Sequence, residues 1–152
     1  MKTVEAAVIG VGWVGGTRAE TLARTALVDK LHLCEIRPDR LAEVKKLYKP
    51  ATATLDYNDI IKNDNISVVY ISTTPESNHY PICRDCLKSG KNVMLEKPIA
   101  LELWEADELI QLAKRNNLKF TIGYSQRFNP KIAYAKKKIC LLYTSPSPRD
   151  RG

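Results

Sequence analysis

Two groups of residues in this chain have types and spacings that could do chemistry. The first is Gly10, Gly12 and Gly15, which stand in G-x-G-x-x-G order within "VIGVGWVGG". The second is the "EKP" run at residues 96–98, where a carboxylate and an amine end the apolar stretch "VML". A core strand rarely carries two charges, and a solvent turn usually contains Gly, Asn or Asp. The two charges are therefore predicted to lie where a strand ends, facing a site.

The glycine motif indicates a phosphate-binding loop, because it follows an apolar strand and opens a helical stretch. Gly10 would permit the tight turn, Gly12 would let backbone N–H groups approach a pyrophosphate, and Gly15 would let helix and strand pack closely. The positive end of the helix dipole would then face the phosphates. Trp13 and Val14 lie inside the motif and are also expected to contact the phosphate-containing cofactor that such a loop binds. The alternative is a tight strand–helix turn that binds nothing.

Glu35 would decide which dinucleotide binds. It ends the second predicted strand and follows Gly15 by about 20 residues, where the dinucleotide-binding pattern has an acidic residue. A carboxylate there accepts hydrogen bonds from the ribose hydroxyls and repels a 2′-phosphate, which favours NAD. Arg37 could instead pair with that phosphate, so NADP is the alternative.

Strands and helices must alternate to position these groups, and the sequence predicts that they do. The strands are predicted at "TVEAAVIG", "LHLCEI", "ATATL", "ISVVYIS", "NVML" and "LKFTIG". The helices are predicted at about Trp13 to Thr25, Pro38 to Tyr48, "YNDIIKN", "NHYPICRDCLKS" and Leu101 to Asn116. Strands this apolar are buried on both faces. The sequence therefore predicts an α/β fold with a doubly wound parallel sheet, a three-layer Rossmann fold, whose ligands bind beyond the carboxyl ends of the strands.

Composition excludes several other classes of function. The formal charge is +7, but the basic residues are scattered without interleaved aromatics, so nucleic-acid binding is not expected. No apolar run approaches the roughly 20 residues of a membrane span, and the N-terminus does not resemble a secretory signal. A cytoplasmic protein is therefore expected. Cys83 and Cys86 form a C-x-x-C pair without further zinc ligands, so buried thiols are expected and no metal site.

The segment "CLLYTSPSPRD", Cys140 to Asp150, differs from the rest of the chain. It resembles the in-frame translation of a transposon-end adapter used to prepare DNA sequencing libraries. We therefore expect the natural frame to end near Ile139, and residues 140–152 to be a non-native tail that cuts a helix short. A genuine proline-rich linker is the alternative. Residues 1–139 would then be the first domain of a longer protein.

The glycine motif, "STTPESNH" after the fourth strand, "LEKPIA" after the fifth and "GYSQRFNP" after the sixth together resemble the Gfo/Idh/MocA family. This family includes glucose–fructose oxidoreductase and inositol dehydrogenase. The resemblance covers residues 3 to about 139. It implies hydride transfer between a nicotinamide cofactor and a secondary alcohol of a sugar, cyclitol or related polyol. It also implies a second α/β domain, absent from this chain, that supplies a histidine proton acceptor and makes the full-length protein a homo-oligomer.

The resemblance also implies roles for particular residues. Lys97 would lie beside the nicotinamide and reach the substrate hydroxyl, with Glu96 close to the cofactor and a cis peptide before Pro98. The other contacts that it implies are Thr73, Thr74 and Pro75 along the ribose and nicotinamide, His79 at the start of the next helix, and Arg127 near the ring or substrate. His79 is expected to be mainly structural, and Glu76 departs from the family, which commonly has Asn there. A non-catalytic dinucleotide-binding regulator is the alternative function, although Lys97 favours an enzyme.

Overall fold

A computed structural model describes residues 3–144, with side chains described for residues 3–139. Six parallel strands form one sheet in the order β3-β2-β1-β4-β5-β6. Their bounds are β1 (Val4–Ile9), β2 (Val28–Cys34), β3 (Thr52–Thr54), β4 (Ile66–Ile71), β5 (Asn92–Leu95) and β6 (Phe120–Ile122). The order reverses between β1 and β4, as in a doubly wound fold. The predicted fold class is confirmed.

Helices connect the strands, and their ends follow local sequence signals. Their bounds are α1 (Trp13–Arg24), α2 (Pro38–Tyr48), α3 (Tyr57–Lys62), α4 (His79–Lys88), α5 (Leu103–Arg115) and α6 (Pro130–Thr144). Pro38 occupies the first turn of α2, where its missing N–H costs nothing. Glu102 and Glu105 form a capping box at the start of α5, which satisfies amide groups that the helix cannot. Gly90, at φ +76° after α4, provides the predicted left-handed turn.

The core lies on both faces of the sheet, because side chains alternate along each strand. In β1, Ala7 and Ile9 pack towards α4 and α5 with Cys83 and Cys86, and all four are buried. Val8, between them, packs on the opposite face with residues of α1 and α2. The two cysteines are buried thiols, as predicted, and burial raises the pKa of the Cys86 thiol to about 12.

Two predicted boundaries differ by three residues or more from those of the structure. Strand β2 begins at Val28, because its polar start pairs with β1, where Lys30 lies opposite Glu5 and their charged groups are 2.7 Å apart. Helix α6 continues through Thr144, so Cys140 to Thr144 do not cut it short. These residues contain no helix breaker, and the next proline in the sequence is Pro146.

The predicted origin of residues 140–152 stays a prediction. The last part of this segment, residues 145–152, lies outside the described residues. Among residues 3–144, no helix has both the length and the apolar composition needed to cross a membrane. In the same part of the chain, His, Cys, Asp and Glu side chains do not gather in groups of three that could hold a metal ion.

Candidate functional site

A cavity of about 850 Å³ opens at the carboxyl edge of the sheet, where the strand order reverses. This is where ligands bind in open α/β sheets. Its wall is formed by the loop after β1, the end of β2, the loop after β4 and the start of α4. Eight of the predicted site residues line it: Gly10, Gly12, Trp13, Val14, Glu35, Arg37, Thr73 and Thr74.

The three glycines each meet a different steric demand. Gly10 has φ +83°, and a Cβ there would lie 2.5 Å from the carbonyl oxygen of Ser72. A Cβ on Gly15 would lie 1.8 Å from the carbonyl oxygen of Gly10, so helix and loop pack too closely for any side chain. A Cβ on Gly12 would meet nothing within 4 Å. Since Gly12 lines the cavity, the space in front of it is left for a ligand.

The start of α1 suits an anion. The first N–H groups of a helix have no partners inside the helix, and the macrodipole places partial positive charge there. Gly12, at the N-cap, supplies no side-chain cap, and the first turn has no acidic residue. Together with the open space in front of Gly12, this arrangement fits a phosphate group.

Glu35 is held rigidly at the cavity edge. It is 6% exposed, and its Oε2 accepts a hydrogen bond from Val11 N–H at 3.0 Å. Its Oε1 accepts one from Arg37 N–H at 3.1 Å. A carboxylate has about four acceptor positions, so Glu35 keeps capacity for a ribose hydroxyl. The Arg37 side chain is 58% exposed beside it, with Nε 3.4 Å from Oε1.

Sequence reasoning missed the rest of the cavity wall. Cys34, Tyr57, Pro81 and Ile82 line the wall, and no local motif marks any of them, because they come from three separate elements. Burial raises the pKa of the Cys34 thiol to about 12, so that thiol forms an apolar surface. Beside Gly10 of the glycine loop, Thr73 Oγ1 is buried without a hydrogen-bond partner among the described residues. Native structures rarely leave such an atom unsatisfied, which is consistent with a polar ligand at this wall.

Lys97 lies one strand away from the cavity. It follows β5, whose last residue, Leu95, pairs with Ile71 of β4, so Lys97 and Thr73 leave neighbouring strands at the same edge. The side chain of Lys97 is exposed, and the peptide bond to Pro98 is cis, as the family resemblance implied. The amine is therefore at the carboxyl edge of the sheet, but it does not line the cavity wall.

Glu96 does not line the cavity wall, and its predicted contact with the cofactor stays a prediction. Its Oε1 accepts a short hydrogen bond from the hydroxyl of Tyr70, and Arg18 Nε donates to the same hydroxyl at 3.2 Å. Its Oε2 lies 3.3 Å from the backbone N–H of Lys97. Gly123 leaves room for the carboxylate, since a Cβ there would lie 3.0 Å from it. Glu96 thus anchors the turn that carries Lys97.

Tyr70→Phe should measure this anchor. Burial, with the hydrogen bond to Glu96, raises the pKa of Tyr70 to about 12, so the hydroxyl stays protonated and donates. Its loss leaves a largely buried carboxylate short of a donor, which should lower the free energy of unfolding by about 1–3 kcal/mol. Urea unfolding measures the change, with Tyr134→Phe, on exposed α6, as control. Equal stabilities for the two variants would contradict the anchor.

Four other predicted residues lie outside the cavity wall. Gly15 packs behind the loop, as expected. His79 is 1% exposed, and its ring nitrogens lie 2.8 Å from the carbonyl oxygen of Pro98 and 3.1 Å from that of Thr73. It joins the loops after β4 and β5, which agrees with the mainly structural role expected for it. Its predicted cofactor contact stays a prediction. Pro75, after a cis peptide, begins a 3₁₀ turn, and Arg127 is exposed in another turn after β6.

Comparison with known proteins gives this arrangement a context. The model of an oxidoreductase family with an NAD-binding Rossmann fold matches residues 4–124. Inositol 2-dehydrogenase/D-chiro-inositol 3-dehydrogenase of Lactiplantibacillus plantarum is 29% identical over 135 residues, which are 87% of this chain and 38% of that protein. UDP-N-acetylglucosamine 3-dehydrogenase of Acidithiobacillus ferrooxidans is 31% identical over 131 residues, 86% of this chain and 40% of that protein.

Solved structures agree with these sequence matches. Scyllo-inositol dehydrogenase from Lactobacillus casei, with bound NAD(H) and scyllo-inositol, superimposes with a TM-score of 0.82 at 27% identity. The match covers 92% of this chain and 42% of that one. The chain therefore spans about 40% of the length of the relatives it matches.

Proposed function

Because the chain belongs to the Gfo/Idh/MocA oxidoreductase family through its NAD-binding Rossmann domain, we propose that it is the cofactor domain of an NAD-dependent polyol dehydrogenase. The observation that carries the proposal is the cavity, in which the open space before Gly12 and the buried carboxylate of Glu35 lie together. Residues 1–139 would form this domain, and residues 140–152 a non-native tail. The substrate domain would belong to the rest of the protein.

The cavity residues would hold the dinucleotide through complementary contacts. The N–H groups at the start of α1 would bind the diphosphate, and Glu35 would accept hydrogen bonds from the adenosine ribose. Thr73 and Thr74 would contact the nicotinamide half, and Thr73 Oγ1 has acceptor and donor capacity to spare. The apolar surfaces of Tyr57, Pro81 and Ile82 would flank the remaining part. The bound nicotinamide would supply the hydride chemistry.

Lys97 is proposed to act on the substrate rather than on the cofactor's phosphates. Its ammonium group does not line the cavity wall. It would donate a hydrogen bond to a substrate hydroxyl and stabilise the negative charge that develops on that oxygen. The anchored turn at Glu96 would hold it there. The named relatives act on inositols and on a UDP-sugar, so the substrate class proposed here is a sugar, cyclitol or related polyol. Arg127, exposed after β6, is proposed to lie near the ring or substrate.

The experiment that tests the function uses the full-length natural protein with NAD⁺ and a panel of myo-inositol, scyllo-inositol, glucose and UDP-N-acetylglucosamine. NADH formation with at least one of these secondary alcohols is expected. Cofactor binding without oxidation of any of them would instead favour a dinucleotide-binding regulator. We also propose a cytoplasmic location for the protein. We further propose homo-oligomeric assembly, which gel filtration of the full-length protein would test, and no nucleic-acid partner, which a salt-dependent DNA-binding assay would test.

Glu35 should make the domain prefer NAD⁺ over NADP⁺. A 2′-phosphate would meet a carboxylate that is buried and fixed by two backbone donors, and like charges placed together are costly. We expect a preference of about tenfold or more, which corresponds to about 1.4 kcal/mol. Calorimetric titration with both cofactors measures it. Arg37→Ala should weaken only NADP⁺ binding, whereas the control Arg115→Ala, at an exposed position of α5, should change neither. Equal affinities for the two cofactors would contradict the role of Glu35.

A further inference from the structure

An arginine beneath the glycine loop has contacts that cofactor binding alone does not explain. Arg40, in α2, donates from Nε to the carbonyl oxygen of Val11 at 2.8 Å. Its Nη2 lies 3.4 Å from the carbonyl oxygen of Gly12. The side chain is 21% exposed and pairs through Nη1 with Glu43 at 2.6 Å. Arg40 therefore binds two consecutive carbonyl groups of the loop from the side of α2.

A fourth glycine makes room for this guanidinium. Gly16 follows the G-x-G-x-x-G motif and has no place in it, yet it is buried within α1. A Cβ on Gly16 would lie 2.8 Å from Arg40 Nη2, while its next contact, the carbonyl oxygen of Val11 at 3.7 Å, is ordinary. The space that Gly16 leaves is thus occupied by Arg40.

Arg40 and Glu35 hold the loop from opposite ends of Val11. Glu35 accepts the hydrogen bond of Val11 N–H, and Arg40 donates to its carbonyl oxygen. A trans peptide is planar, with C=O and N–H pointing in opposite directions. Fixing the Val11 carbonyl towards Arg40 therefore points the Gly12 N–H away from it. The Gly12 carbonyl, which accepts from Gly16 N–H at 2.9 Å and from Arg40 Nη2 at 3.4 Å, orients the Trp13 N–H in the same way. Both residues line the cavity.

We propose that Arg40, seated in the space left by Gly16, is a positioning residue that turns the N–H groups of Gly12 and Trp13 towards a bound diphosphate. The inference rests on the proposed function, since it needs a dinucleotide in the cavity. Its contribution is orientation of the loop before the ligand arrives. Preorganised donors bind an anion more tightly than donors that must first be ordered.

Two variants of the full 152-residue chain test the proposal by NAD⁺ calorimetry and thermal unfolding. Arg40→Met keeps the stem and removes the donors, and NAD⁺ affinity should fall about tenfold or more, because the Val11 carbonyl loses its Arg40 donor and the Gly12 carbonyl keeps only Gly16 N–H. Gly16→Ala should displace Nη2, which would lie 2.8 Å from the new Cβ, and weaken NAD⁺ binding by a smaller factor, although alanine is the better helix former and should not lower stability. Weaker NAD⁺ binding in a variant that is as stable as the unaltered chain would show that Arg40 positions the loop, because a merely structural role would lower the stability as well.

A double-variant cycle makes the test sharper. If Gly16→Ala acts through Arg40, adding it to Arg40→Met should cause no further loss of affinity. The loss of affinity should also be confined to ligands that contain a diphosphate. The affinity for ADP-ribose should therefore fall as that for NAD⁺ does, while the affinity for adenosine should not change. Arg24→Met, which removes the same charge from an exposed position in α1, is the matched control and should bind NAD⁺ normally.

Three results would overturn the inference. The first is unchanged NAD⁺ affinity in folded Arg40→Met or Gly16→Ala. The second is a pair of independent losses that multiply in the double variant, and the third is an equal loss in Arg24→Met. If Arg40→Met does not fold, Gly16→Ala alone decides between the first result and the expected one. Absence of NAD⁺ binding in the unaltered chain would overturn the proposed function as well, whereas normal binding there with unaffected variants would overturn this inference alone.

Discussion

Gly15→Ala is expected to destabilise the fold strongly. The new Cβ would lie 1.8 Å from the carbonyl oxygen and 2.9 Å from the carbonyl carbon of Gly10. Both are backbone atoms of a tight turn, so they cannot rotate away as a side chain would. We expect the free energy of unfolding to fall by about 3 kcal/mol or more, a large part of the 5–15 kcal/mol of an ordinary domain. Urea unfolding followed by circular dichroism measures it.

Gly12→Ala is the matched comparison, because it makes the same chemical change three positions earlier. Its Cβ would meet no atom within 4 Å, so stability should change by less than about 1 kcal/mol. The methyl group would project into the space proposed for the diphosphate, and NAD⁺ affinity should fall about tenfold or more. A stable Gly15→Ala chain, or normal NAD⁺ binding by Gly12→Ala, would contradict the role given to that glycine.

Lys97→Ala, in the full-length protein, is expected to lower the turnover number by about 10²–10⁴-fold. The substitution removes the proposed hydrogen-bond donor to the reacting oxygen. Lys97 is exposed and lies outside the cavity wall, so affinity for NAD⁺ should be unchanged. Steady-state kinetics with the best polyol measures the first effect, and calorimetry measures the second.

Lys88→Ala is the control for this variant, because Lys88 is an exposed lysine at the end of α4. It should keep both normal turnover and normal NAD⁺ affinity. Wild-type rates in Lys97→Ala would contradict the catalytic role. Loss of NAD⁺ binding together with turnover would instead assign Lys97 to the cofactor, and that result would also contradict the proposal.

The sequence predicted the parts of the site that depend on local spacing. The roles of Gly10 and Gly15 follow from one strand–turn–helix segment, and Glu35 from the end of the next strand. Alternation of apolar strands and helices was enough to predict the doubly wound sheet, because each element buries its own apolar residues against the neighbouring layer. Boundaries were less certain, since ion pairs such as that of Lys30 with Glu5 join separate strands.

Contacts between distant parts of the chain could not be predicted in this way. Arg18 and Tyr70 are 52 positions apart and meet only after α1 packs on β4. Arg40 lies 29 positions from Val11. The "EKP" run shows the same limit within one motif: its two charges were predicted to lie where a strand ends, facing a site, and the structure turns Glu96 towards Tyr70 while it leaves Lys97 exposed. Spacing shows that residues are neighbours in sequence, whereas burial decides which way each side chain turns.

The central claim is that the glycine loop and Glu35 form a dinucleotide site, and isothermal titration of the full chain with NAD⁺ tests it most directly. We predict saturable binding of one NAD⁺ per chain, abolished or strongly weakened in Gly12→Ala at unchanged stability. The absence of any binding heat across several temperatures, from a chain whose circular dichroism shows the α/β fold, would contradict the claim.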